Sequence, residues 1–110
     1  AFDYSGRLNG TFYCHTKYQG YDNRIHGGII STIIDESMVH CLMGYGMVGV
    51  TANLSIKYRL PVLIEKNIEL TTQFIKTHLG GKLAELSTEI AQDRKTVITA
   101  EATFYIIHTA

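Results

Sequence analysis

Apolar residues recur along this chain at two different periods. Between Ile29 and Tyr45 they return every three or four positions, with Ile30, Ile33, Ile34 and Cys41 in one stripe. That is the spacing of a helix. Thr32, Asp35, Val39 and Leu42 form a second stripe on roughly the opposite side. A helix apolar nearly all round is a buried helix, and this one carries a carboxylate on one of its apolar sides. Gly44 and Gly46 are placed to end it.

From Val48 onward the period becomes two. Leu54, Ile56, Tyr58 and Leu60 alternate with Asn53, Ser55, Lys57 and Arg59 until Pro61 stops the strand. A second strand is predicted from about Asn67 to Leu79, and Gly80-Gly81 turns it into a third over Lys82 to Gln92. After a turn at Asp93-Arg94-Lys95, the last strand places Ile98, Ala100, Ala102, Phe104 and Ile106 on one face. Ahead of the helix, Phe2-Asp3-Tyr4-Ser5 alternates, Phe12 and Cys14 share a face, and Asn9-Gly10 signals a type I′ hairpin. Tyr18 to Arg24 reads as a polar turn.

Long one-sided strands joined by short turns make an antiparallel sheet with one wet face. One helix and five or six such strands give an α+β domain in which the sheet curls around the helix. The sheet alone cannot cover both sides of that helix. The Thr32/Asp35/Val39/Leu42 side therefore calls for a partner, and a twofold homodimer is the commonest solution.

Composition narrows the function classes. The 110 residues fit a single domain spanning 1–110, and a hydrophobic share of 45% is too high for a disordered chain. Ten Lys+Arg against ten Asp+Glu cancel, so no overall field draws in nucleic acid or an anionic membrane, and neither is expected as a partner. The most apolar window, Ile29 to Val50, contains Asp35, Glu36 and His40, which argues against a membrane span. Cys14 and Cys41 fit no metal-ligand spacing and read as two reduced thiols. No charged start with an apolar h-region is visible, although the chain begins with Ala1 rather than Met. Together these features predict a cytoplasmic protein.

The strongest chemical signal is His26-Gly27-Gly28 at the head of the helix, with Asp35 nine positions on. Glycines at a helix start leave backbone N–H groups unshielded and without intrahelical partners. Those donors and the positive end of the helix dipole suit an anion or a developing oxyanion. Desolvation on an apolar helix face disfavours the charge of Asp35, which makes it a candidate general base or nucleophile. A simple turn at Gly27-Gly28 and a structural His26 are the plainer readings of the same residues.

The stretch Tyr18-Gln19-Gly20-Tyr21…His26-Gly27-Gly28-Ile29-Ile30…Asp35-Glu36 resembles the signature of hotdog-fold thioesterases of the PaaI-like (4HBT) group. The likeness continues through Val50-Thr51-Ala52-Asn53-Leu54-Ser55-Ile56-Lys57-Tyr58-Arg59-Leu60-Pro61-Val62 and ends with Ala100-Glu101-Ala102-Thr103-Phe104. The resemblance implies a curved antiparallel sheet wrapped around one central helix, assembled as a dimer or a dimer of dimers. It also implies hydrolysis of acyl-CoA thioesters without metal or cofactor. On that likeness the Gly27 N–H is the oxyanion donor, Asp35 the catalytic carboxylate, and Thr51 a hydroxyl that helps orient water. Gly27 of one chain would face Asp35 of the other. His26, Gly28, Glu36, Asn53 and Arg59 are the candidate substrate-binding residues. Val39, Leu42 and Met43 are placed along the acyl slot, and Lys57, Arg59, Lys82 and Arg94 are cations available to CoA phosphates. Some members of the group carry Asn or Gln six positions before the histidine, where this sequence has Gly20.

Two patterns are decoys. Gly44-Tyr45-Gly46-Met47-Val48-Gly49 spells GxGxxG, but a helix precedes it and a strand follows, the reverse of a dinucleotide site. Glu36 and His40 stand one helical turn apart without an obvious third ligand, so no metal is expected. The rival functional readings are a non-catalytic acyl-CoA binding or sensing protein and a hotdog dehydratase.

Overall fold

The computed structural model describes residues 6–20 and 23–109. The alternation expected at residues 2–5 and two residues of the polar turn, 21 and 22, lie outside them. Five strands form one antiparallel sheet. They are β1 (Arg7–Tyr13), β2 (Met47–Tyr58), β3 (Asn67–His78), β4 (Leu83–Gln92) and β5 (Lys95–Thr109), with helix α1 (Gly27–Gly44) between β1 and β2. The spatial order is β1-β3-β4-β5-β2, so β1 and β2 are the edges.

The period-two pattern explains the sheet. Leu86 of β4 pairs with Ala102 of β5, and Ile90 with Ile98. Residues directly opposite in an antiparallel pair share a face, so these apolar pairs build one continuous inner surface. Ile30, Ile34, Met38, Cys41 and Leu42 of α1 are buried with it. Each such side chain removed from water contributes about 1.5–3 kcal/mol. The turns follow local chemistry. Asp93 and Arg94 adopt φ of 53° and 65°, the pair of positive values that a type I′ hairpin requires.

One expectation is corrected here. Asn9-Gly10 forms no hairpin. The pair lies inside β1, with Asn9 opposite Thr71 and Gly10 opposite Leu70. The Thr71 hydroxyl donates to Asn9 Oδ1 at 3.2 Å. A full cross-strand ladder with β3 outweighs the local turn preference of two residues. Within one chain the helix is covered on its sheet side alone, as expected of a sheet that cannot reach both sides. Its deep stripe takes Leu42 from the second side, while Ile33, Asp35 and Val39 are half-buried and Thr32 is exposed. One curved sheet reaches only one side of the cylinder.

Both cysteines are free and buried, and burial pushes both thiols above the ordinary range. The thiolate is the reactive form. Native protein is therefore expected to react slowly with a disulfide reagent such as dithionitrobenzoate, and denatured protein to titrate both thiols at once. Rapid titration of either thiol in the native state would contradict this burial.

Candidate active site

Three structural devices set the head of α1. His26 is extended (φ −64°, ψ 133°) and is the N-cap. Its Nδ1 accepts the Gly28 N–H at 2.9 Å, which requires a neutral ring with its proton on Nε2. The His26 carbonyl accepts the Ile29 N–H at 3.0 Å. The Gly27 amide, one residue ahead of these two satisfied donors, has no hydrogen-bond partner among the described residues. The plain structural role expected of His26 and the open donor expected at Gly27 coexist in one cap.

The approach to the cap is tight. Gly20 N–H donates to Arg24 O at 2.9 Å and His26 N–H to Tyr18 O at 2.7 Å. A Cβ at Gly20 would stand 2.9 Å from His26 Cα. The glycine that departs from the group's Asn/Gln position is thus demanded by close backbone approach. Tyr58, at the end of β2, donates its hydroxyl to Gly27 O at 3.4 Å. In the sequence Tyr58 stands out as an alternating strand residue and as part of the stretch that resembles the thioesterase group, without a site role. A cavity of ≈ 290 Å³ beside the helix start is lined by Arg24, Ile25, Ile30, Tyr58, Arg59 and Leu60, among others.

Thr51 meets Asp35. Its hydroxyl donates to Asp35 Oδ1 at 2.6 Å. Strict alternation puts Thr51 on the outer face with Asn53 and Ser55. The register shows why it is not there. Thr51 pairs with Phe104 and Asn53 with Thr103, with the ladder shifted at Ala52. One extra residue in β2 is a β-bulge, which re-aims the neighbouring side chain. Thr51 thereby shares the face of Phe104, which is fully buried, while Asn53 keeps the outer face. Asn53 lines a different cavity, with Glu85 and Glu101, and does not join Asp35 and Thr51. Arg59 borders both the cavity at the helix start and the larger groove on the outer sheet face. Glu36 is exposed and lies 3.7 Å from His40 one turn along.

Gly27 and Asp35 stand eight residues apart on one helix, about 12 Å along its axis. A carbonyl held at the Gly27 amide is out of reach of Asp35 in the same chain. For Gly27 and Asp35 to act on one carbonyl, the two would have to come from different copies of the chain.

The 4HBT thioesterase superfamily profile matches residues 22–101, and the chain belongs to that superfamily. Mouse acyl-coenzyme A thioesterase THEM4 is 35% identical over 88 residues, covering 80% of this chain and 37% of the mouse protein. The uncharacterized mitochondrial membrane protein FMP10 of Saccharomyces cerevisiae is 30% identical over 101 residues, covering 86% of this chain and 41% of the yeast protein. The chain spans well under half the length of these curated relatives. The smu.793 protein of Streptococcus mutans UA159, crystallised bound to acetyl CoA, superposes with a TM-score of 0.87 at 20% identity, covering 94% of this chain and 83% of that one. The fold is the hotdog fold: one helix in a curved five-stranded antiparallel sheet.

The yeast relative corrects one expectation. It is a mitochondrial protein, which overturns the cytoplasmic placement. Reduced thiols and a neutral charge balance report chemical conditions, and an address is not among the things they encode. Among the described residues no helix is long and apolar enough to cross a membrane.

Proposed function

We propose that this domain hydrolyses acyl-CoA thioesters to the free acid and CoA in a mitochondrial setting. The observation that carries the reading is the unpartnered Gly27 amide, held open just ahead of two satisfied neighbours at a helix head. Such a donor is aimed before the substrate arrives and stabilises the charge that develops on the thioester carbonyl oxygen. Asp35 of the other subunit then takes a proton from water or attacks the carbonyl itself. In either route the C–S bond breaks, the thiolate leaves, and water supplies the hydroxyl of the acid. Thr51 orients the carboxylate through its bond to Oδ1. The THEM4 relative supports the substrate class, and the FMP10 relative supports the compartment.

The pairing of subunits is part of the proposal. β2 is a twelve-residue edge strand, with Val48 and Val50 exposed at 44% and 50%. A long edge with apolar side chains invites pairing with another copy. Joining two β2 edges also brings the open side of each helix toward its mate.

The test is release of free thiol from a panel of acyl-CoAs of varied chain length. Saturable release supports the hydrolase; tight binding without release replaces it with the acyl-CoA sensor. Thr51→Ala is expected to lower kcat roughly 10- to 100-fold, the loss of a hydrogen bond to a charged group, and Thr51→Ser to restore most of it. Equal rates for Thr51→Ala and wild type would remove Thr51 from the site.

A further inference from the structure

Three hydroxyl side chains interrupt the apolar core where the helix meets the sheet. Ser37 of α1, Thr72 of β3 and Thr88 of β4 are 7%, 0% and 3% exposed. Their hydrogen bonds run one way. Ser37 Oγ donates to the Ile34 carbonyl at 2.7 Å. A hydroxyl has a single proton to give, so Ser37 accepts from Thr72, 2.8 Å away. Thr72, having given its proton to Ser37, accepts from Thr88 at 2.6 Å. The result is an ordered line from Thr88 through Thr72 and Ser37 to a helix carbonyl. One turn further on, Cys41 Sγ lies 3.9 Å from the Thr72 carbonyl, so the same strand residue holds the helix at two heights.

Hydroxyls in such a place are costly unless each is satisfied, and apolar side chains of the same shape would pack there without that cost. What hydroxyls add is direction. Apolar packing tolerates small slides and rotations of a helix on a sheet, whereas a line of hydrogen bonds has one geometry. The line ends on the carbonyl of the Ile34–Asp35 peptide bond. Asp35 in turn meets Thr51, whose place is set by the bulge in β2. Nothing in the cap at His26 fixes the helix at Asp35, nine residues downstream.

We infer that the Thr88–Thr72–Ser37 line positions Asp35 for catalysis by fixing the height and rotation of the middle turn of α1. These are positioning residues, since none of them touches Asp35 or the substrate carbonyl. The inference rests on the catalytic role proposed for Asp35. A displacement of about 1 Å at a reacting group can cost up to about a hundredfold in rate.

The experiment compares Thr72→Val with wild type in thiol release, alone and combined with Asp35→Asn. Thr72→Val is expected to lower kcat about tenfold or more with KM nearly unchanged, and Thr72→Ser to recover most of the rate. In the Asp35→Asn background, Thr72→Val is expected to cause no further loss. Should Thr72→Val not fold, Ser37→Ala replaces it with the same expectations, because alanine suits a helix interior. The inference is overturned if the variant only lowers the melting temperature and keeps the wild-type kcat. It is equally overturned if the variant lowers the residual rate of Asp35→Asn by the same factor as in wild type. Full turnover in Asp35→Asn alone would instead remove the role of Asp35, and the positioning role with it.

Discussion

Asp35→Asn is expected to lower kcat by about 10²–10⁴-fold, the range for loss of a general base, with the melting temperature and oligomeric state unchanged. Asparagine has nearly the shape of aspartate. Its Oδ1 still accepts the Thr51 hydroxyl that now binds the carboxylate at 2.6 Å, so the local geometry survives. Asp35 is half-buried on the open side of the helix and makes no ion pair among the described residues. Its charge therefore leaves no buried cation unpaired. What disappears is the ability to accept a proton or to attack a carbonyl. The check is steady-state release of thiol from the best acyl-CoA found in the panel, with the thermal transition measured on the same preparations. Wild-type turnover in the variant would take Asp35 out of the mechanism. Turnover of wild type in ¹⁸O-labelled water adds a distinction between the routes. Label recovered in the Asp35 side chain identifies direct attack, since a pure general base exchanges no oxygen.

How much of this site could be read from the sequence depended on whether the controlling interaction was local. The cap was legible because His26-Gly27-Gly28 acts within one turn of helix, through bonds between residues two and three apart. The inner faces of β4 and β5 were legible because Ala84, Leu86, Ala100, Ala102 and Phe104 alternate without interruption. Asn9-Gly10 misled because its partner is distant: β3 lies some sixty residues on, and pairing with Leu70 and Thr71 keeps the dipeptide extended. Thr51 was read as a site residue from resemblance alone. The cause of its orientation, the bulge at Ala52, belongs to its pairing with β5 and leaves no mark in the alternation. Ser37, Thr72 and Thr88 passed unnoticed because each is an ordinary polar residue in its own segment. Only the stacking of α1 on β3 and β4 brings them together.

Gly27→Pro is expected to lower kcat by about 10²–10³-fold, the usual effect of deleting one oxyanion donor, while Gly27→Ala stays close to wild type. A backbone amide is normally hard to remove without damage, but the geometry here permits it. Gly27 is the first residue of α1, the position where proline is best tolerated because no intrahelical bond is lost. The residue before a proline must be extended, and His26 already is, at φ −64° and ψ 133°. A Cβ at Gly27 meets only the Tyr58 hydroxyl, at an ordinary 3.6 Å. Both variants therefore add a Cβ in the same open place, and proline alone replaces the N–H with its ring Cδ. Alanine keeps the N–H and proline does not. The comparison controls for the added Cβ and for helix stability, which a thermal melt of the two proteins checks directly. Loss of activity in proline but not alanine is what an amide aimed at a developing oxyanion requires. Equal activity in the two variants means that the thioester carbonyl oxygen is held elsewhere.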